Sequence, residues 1–361
     1  MNRSLVALGA LLLAAPALAQ DNVVNVYNWS DYIAEDTIAN FTAETGITVN
    51  YDVYDSNETL EARLLAGSSG YDIVVPSGFF LERQIAAGLL QPIDKSKLSN
   101  YGNLDTTILA TAATHDADNA HSVPYMTFTA GLGYNVAALT ERLGADQPLD
   151  TWDILFDPEL VAKLADCGVA MLDSPSEVVG TVLNYLGLDP NSENAEDLAK
   201  AEALLLSIRP YVRYFHSSQY IDDLGAGEIC LALGYSGDVF IAADAAAEAN
   251  SGVEVGYVIP KEGALTAFDL MAIPADAPHL ENAYKFIDYI LQPQVTAGIT
   301  NYVFYASANA AATEFVDEEV RNNPGIYPPA EVTAEAFALK SHTPQFDRLL
   351  TRSWTRVKTG Q

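Results

Sequence analysis

The side chains best equipped for chemistry in this sequence recur in one setting: a short apolar run followed at once by rings, hydroxyls and carboxylates. Tyr27-Asn28-Trp29-Ser30-Asp31-Tyr32 closes the first such run, Ser77 follows Ile73-Val74-Val75-Pro76, and Tyr235 with Asp238 follows Ile229 to Gly234. Asp173 with Glu177, Phe268 with Asp269, and Tyr305 end further runs. An aromatic face attracts a cation through its quadrupole, and a carboxylate neutralises that cation while accepting its hydrogen bonds. With no lysine or arginine in these segments, the pattern suits organic ammonium groups, above all a flexible dication with an apolar stem. A close charge-assisted contact contributes about 4 kcal/mol gross at an effective dielectric of about 20, and a cation–π contact about 0.5–2 kcal/mol. Micromolar binding requires about 8 kcal/mol net, which two such ends and ring stacking supply after desolvation and ordering costs.

Taken singly, each of these residues has a plainer role. Tyrosine and tryptophan at strand ends often pack the core edge, and aspartate in a turn commonly caps a helix. Their shared position unites them, since a loop at a strand's carboxyl end is where an open α/β sheet meets its ligand. A carboxylate pair also suits general acid–base chemistry, so an exported hydrolase is a rival reading. Against it, the sequence has no HExxH, no GxSxG and no phosphate-cradling glycine loop. His115 and His121 lack a third ligand at metal-binding spacing, and Tyr302 with Tyr305 are too few for a tyrosinate iron site. No cofactor or metal is expected. Repeats and low-complexity tracts, which an adhesive surface protein would show, are missing too.

The elements that must position these residues follow from hydrophobic periodicity. Residues 23 to 28 predict a strand with Val24 and Val26 on one face, followed by a helix with Ile38 and Phe41 inward and Gly46 as its stop. Ile47, Val49, Tyr51 and Val53 alternate as a half-buried strand; a helix from about Asn57 to Ala66 turns Leu60, Leu64 and Leu65 inward. Tyr71 to Pro76 reads as a strand covered on both faces, and Phe80 to Ala87 as a helix closed by Gly88. This β-α-β-α-β order predicts an α/β fold with mixed, mostly parallel sheets flanked by helices. The pattern restarts near Leu149, and runs near 125–135 and 253–260 can cross between units as a two-strand hinge. The expected division is residues 20–131 with 253–302 in a first lobe and 132–252 with 303–361 in a second.

Residues 1–19 read as an export signal: Arg3, an apolar run from Leu5 to Ala15, then Ala17-Leu18-Ala19 as the cleavage site. That run is shorter than the ~18–20 apolar residues of a membrane span. The formal charge of −30, from 48 acidic and 18 basic residues, argues against nucleic acid and anionic membranes as partners. Cys167 and Cys230 are the two cysteines, and an even pair in an exported chain favours a disulfide over two buried thiols.

Six segments together resemble a known family. They are residues 27–32, Tyr51-Asp52-Val53-Tyr54-Asp55-Ser56-Asn57-Glu58, Asp72 to Ser77, Leu183-Asn184-Tyr185-Leu186-Gly187, Tyr214 to Tyr220, and Asn323-Pro324-Gly325-Ile326-Tyr327-Pro328-Pro329. The sequence is similar along nearly its whole length to the periplasmic putrescine-binding proteins of bacterial ABC importers. The resemblance implies a type II periplasmic-binding-protein fold, two lobes closing on a polyamine, a membrane permease as partner, a periplasmic location, a monomer and no catalysis. It implies Trp29 and Tyr32 as stacking rings, Ser30, Asp31 and Ser77 as amine acceptors, Glu177 and Ser218 as second-lobe contacts, Asp238 and Asp269 as the main carboxylates, and Tyr305 as a late wall. It also implies that Cys167 and Cys230 pair. Departures from the family pattern are Tyr235 in place of a usual Trp, Ala267 beside Phe268 in place of an aromatic, and Phe79 in place of a small serine. Putrescine is the favoured ligand; spermidine, cadaverine and agmatine are the alternatives those departures admit.

Overall fold

The computed structural model describes residues 22–361. The expected export signal lies outside them. A single ten-stranded sheet runs through the molecule in the order β2-β1-β3-β9-β4-β7-β5-β6, with β8 and β10 also bonded to β4. The strands are β1 (Val23–Trp29), β2 (Thr48–Tyr54), β3 (Ile73–Val74), β4 (Ser122–Asn135), β5 (Val169–Met171), β6 (Tyr214–Phe215), β7 (Leu231–Tyr235), β8 (Val255–Val258), β9 (Leu265–Ala272) and β10 (Ala306–Ser307). At one flank β1 pairs in parallel with β2 and β3; at the other β5 pairs in parallel with β6 and β7. Antiparallel pairing joins the flanks through β4, which bonds β9 along Ser122–Ala130 and β7 from Ala130 onward. The fold is thus the expected α/β class with a mixed sheet.

The crossovers are helices whose apolar stripes pack on that sheet. Helix Thr37–Thr45 buries Phe41 and ends at Gly46, whose φ of 72° is the left-handed conformation that glycine supplies without a Cβ penalty. Helix Asn57–Leu65 is capped by Ser56 and buries Leu60 and Leu64. Leu65, expected inward, is 62% exposed: it falls on the outer side of a helix whose stripe is carried by positions four apart. Val53, also expected inward, is 54% exposed, because Tyr54 takes the buried place at the end of edge strand β2.

The longest strand carries the irregularity that matters for the site. Between Pro124 and Met126 the register of β4 against β9 shifts, as at a β-bulge, and the residue left over is Tyr125. A bulge re-aims its side chain; the Tyr125 hydroxyl donates to the backbone carbonyl of Tyr32 at 2.6 Å, pinning the loop after β1. At the far flank, the disulfide Cys167–Cys230 ties the segment entering β5 to the start of β7, with Cα atoms 5.5 Å apart, and Cys230 N–H donates to Gly168 O. The alternative of two free thiols is thereby excluded.

Closing a loop between cysteines 63 positions apart removes unfolded-state freedom. Cys167→Ser with Cys230→Ser is expected to lower the free energy of unfolding by about 2–4 kcal/mol, read as a lower denaturant midpoint; an unchanged midpoint would remove the bond from the stability account.

Candidate ligand-binding site

Loops at strand ends from both flanks meet around one cavity, lined by Trp29, Ser30, Tyr32, Asp55, Phe128, Ser217, Tyr235, Asp238, Asp269 and Tyr305. Two carboxylates face it, each oriented by a pair of hydroxyl donors. Asp269 accepts from Ser77 Oγ at 2.6 Å and from Tyr32 OH at 2.8 Å. Asp238 accepts from Tyr305 OH at 2.5 Å and from Tyr220 OH at 2.7 Å. Asp238 also lies in the first turn of helix Ser236–Glu248, where the helix dipole favours negative charge.

The local sequence explains these placements. Ser77 follows β3 and immediately precedes helix Gly78–Ala86; it is held by Asn57, which accepts its N–H and donates to its Oγ, both at 3.0 Å. Trp29, the last residue of β1, donates its indole N–H to Val75 O at 2.8 Å and lies 4.8 Å from the Tyr54 ring. Tyr235, the last residue of β7, stands edge-on to Trp29 at 6.3 Å and to Phe128 at 5.3 Å. Tyr32 and Tyr305 meet edge to face at 4.7 Å. Tyr305 approaches so closely that a Cβ on Gly237 would stand 2.2 Å from its ring, so that glycine is needed for the close approach.

Burial dominates the electrostatics. Both Asp238 and Asp269 are pushed up to about 7, chiefly by burial, which their hydroxyl donors only partly offset. Glu177, behind the wall, accepts the Tyr235 hydroxyl at 2.5 Å and is likewise raised to about 7 by burial. None of the cavity-lining residues is a lysine, arginine or histidine. What such a pair of carboxylates lacks is a positive charge, and a diammonium stem between aromatic walls supplies one at each end.

Of the residues singled out from the sequence, the cavity brings together Trp29, Ser30, Tyr32, Tyr235, Asp238, Asp269 and Tyr305. Ser77 and Glu177 stand one bond behind it, through Asp269 and Tyr235. Asp31 lies elsewhere: its φ of 54° turns the chain, and it lines an adjacent acidic hollow with Glu35, Asp244 and Glu248. Ser217, not Ser218, faces the cavity; Ser218 turns its N–H to His216 Nδ1. Phe79 packs edge-on against Phe80, Ala267 pairs with Phe128 across β9 and β4, and Phe268 packs against the His115 ring. Asp55 and Phe128 escaped the sequence reading. The rule that singled out Trp29 would have found Asp55, which directly follows the end of β2; Phe128 sits within a strand, where no end marks it.

The family described as bacterial extracellular solute-binding protein matches residues 36–328. The chain belongs to that family. It is 56% identical over 344 residues to the putrescine-binding periplasmic protein of Escherichia coli, covering 95% of this chain and 93% of the relative. It is 51% identical over 350 residues to the putrescine-binding periplasmic protein of Pseudomonas aeruginosa, covering 97% and 95%. A solved structure described as a spermidine/putrescine ABC transporter of Listeria monocytogenes superposes with a TM-score of 0.84 at 31% identity, covering 94% of this chain and all of the other. The chain is accordingly a solute-binding protein of the periplasmic type and not an enzyme, and the hydrolase reading falls away.

Two expectations follow. Carboxyls raised above their unfolded values stabilise the fold at low pH and lose that contribution as pH rises through about 7. The ligand-free melting temperature should therefore fall between pH 5 and pH 8, and fall less in the double variant Asp238→Asn with Asp269→Asn; parallel profiles would contradict this. Gly237→Ala should displace the Tyr305 ring and weaken ligand binding at least tenfold, about 1.4 kcal/mol, with folding retained by circular dichroism.

Proposed function

We propose that the protein captures a putrescine-like diamine between two lobes and delivers it to the membrane permease of an ABC importer. The observation that carries this reading is the pair of buried, hydroxyl-oriented carboxylates, Asp238 and Asp269, in one aromatic-walled cavity whose lining has no cationic side chain. Each takes one ammonium end, while Trp29, Tyr32, Phe128, Tyr235 and Tyr305 enclose the alkyl stem. Ser30, Asp55 and Ser217 complete the lining. The curated relatives support the ligand class, since those named above bind putrescine and others at 42% and 34% identity are named for putrescine with agmatine or with cadaverine.

The lobes we propose comprise residues 20–131 with 253–302 and residues 132–252 with 303–361. Supporting the hinge, β4 bonds to both sheet flanks and the β8–β9 segment runs back alongside it. The later segment is tied to both sides: β10 pairs with Met126 and Thr127, while helix Pro344–Thr359 packs against Ala195–Ile208. A ligand bridging the lobes favours the closed form by its differential affinity for it. The protein acts as a monomer after export to the periplasm and cleavage behind Ala19, and its charge of −30 leaves nucleic acid outside its partners.

Titration calorimetry with putrescine, spermidine, cadaverine and agmatine tests the reading. Putrescine should bind at micromolar affinity or better, and Asp238→Asn or Asp269→Asn should weaken it at least tenfold, about 1.4 kcal/mol. No heat from any of the four amines would refute the proposal; stronger binding of another would reassign the ligand within the class.

A further inference from the structure

One side chain behind the cavity makes two hydrogen bonds whose directions fix a third. Asn57, 1% exposed, opens helix Asn57–Leu65 directly after its cap Ser56. It meets the fully buried Ser77 at two atoms, the backbone N–H and Oγ, each at 3.0 Å. A backbone N–H can only donate, so the Asn57 atom facing it is the acceptor Oδ1. The atom left for Ser77 Oγ is the amide Nδ2, which can only donate. Ser77 Oγ thus spends a lone pair on Asn57, and its single proton goes to its other partner, Asp269 Oδ1, at 2.6 Å. Asp238 is served in the same way. The Tyr220 hydroxyl accepts the Tyr235 N–H at 2.9 Å and donates to Asp238 at 2.7 Å; the Tyr305 hydroxyl accepts the Asp238 N–H at 3.3 Å and donates to that carboxylate at 2.5 Å. At Asp238 the backbone sets the direction; at Ser77 a replaceable side chain does.

We propose that Asn57 is a positioning residue for the ligand site: by donating to Ser77 Oγ it obliges that hydroxyl to donate to Asp269, which keeps the carboxylate an acceptor for an ammonium group. This rests on the reading that Asp269 holds one end of an amine. Asn57 does not line the cavity and acts only through Ser77. Without it the Ser77 hydroxyl is free to turn its lone pairs toward Asp269, and two oxygens facing each other with no proton between them repel. Asn57 also has a plainer role, anchoring the Ser77 backbone N–H, which uses Oδ1 alone and does not involve the hydroxyl.

That difference makes the two roles separable. Calorimetric titration with putrescine at pH 8 compares wild type, Asn57→Ala, Ser77→Ala and the double variant, each checked for folding by circular dichroism. Ser77→Ala should weaken binding about tenfold and Asn57→Ala about three- to tenfold, the scale of one hydrogen bond to a charged group. The double variant should bind like Ser77→Ala, within about twofold, because Asn57 acts through a hydroxyl that is already gone. Anchoring of the N–H would persist in Ser77→Ala, and the two losses would then multiply.

Unchanged affinity in Asn57→Ala, or multiplied losses in the double variant, overturn the proposal. Where Asn57→Ala fails to fold, Asn57→Asp replaces it: the carboxylate keeps an acceptor for the Ser77 N–H, lacks the donor, and carries a charge that the start of a helix favours. It should bind more weakly than wild type although an added negative charge attracts cations; equal or tighter binding overturns the proposal. Should no amine bind the wild type, the amine reading fails by itself and the ligand-free protein decides. The Asp269 carboxyl, followed by carbon-13 NMR, should then titrate at higher pH in Asn57→Ala than in wild type, since donation from Ser77 lowers it. An unmoved titration overturns the positioning role.

Discussion

A carboxylate taken out of water without a cation is the constraint on which this structure turns. Asp238 and Asp269 are 6% and 3% exposed, and the side chains lining their cavity bring hydroxyls and rings but no positive charge. Hydroxyl donors reduce the cost of burying a carboxylate and fix its orientation, yet they leave both groups raised to about 7. On the proposed reading, the charge the cavity lacks is the charge a diamine brings. Binding energy and specificity then have one origin: a guest with a single ammonium satisfies one carboxylate and leaves the other uncompensated.

The scaffold serves that arrangement by delivering each hydroxyl from a different place. Ser77 comes from the end of β3, Tyr32 from the loop after β1, Tyr305 from the turn after helix Pro293–Val303, and Tyr220 from helix Gln219–Gly225. Asp269 itself sits on β9, next to the register shift that frees Tyr125 to hold the Tyr32 carbonyl. Tyr305 lies 67 residues beyond Asp238 in the chain, and its hydroxyl bonds that carboxylate at 2.5 Å. On the proposed reading, specificity among amines rests with the shape of the walls, where Tyr235 commits its hydroxyl to Glu177 and presents a ring without a free donor.

Much of this was legible from the residues alone, and the failures have physical causes. Alternation and helical stripes located the strands and helices, because burial on one face imposes those periods directly. The rule that ligands meet strand ends found Trp29, Tyr235, Asp238 and Tyr305, whose positions depend on topology. It also singled out Asp31, whose left-handed backbone turns the chain so that it lines the adjacent hollow, and it could not choose Ser217 over Ser218, which differ by one residue at a helix start. Phe128 was hidden within a strand, and Phe268 packs away from the cavity because the strand's alternation gives it Asp269 instead. The hydroxyl pairs on each carboxylate join residues as far apart in the chain as Tyr32 and Asp269, pairings that no local pattern encodes.

The central claim is that two hydroxyl-set carboxylates hold the two ends of a diamine. A crystal structure of the protein grown with putrescine tests it most directly. The account predicts one ammonium nitrogen within hydrogen-bond distance of Asp238 and the other within that distance of Asp269, with the stem between Trp29 and the Tyr32 and Tyr305 rings. Putrescine bound outside that cavity, or bound within it while touching neither carboxylate, would contradict it.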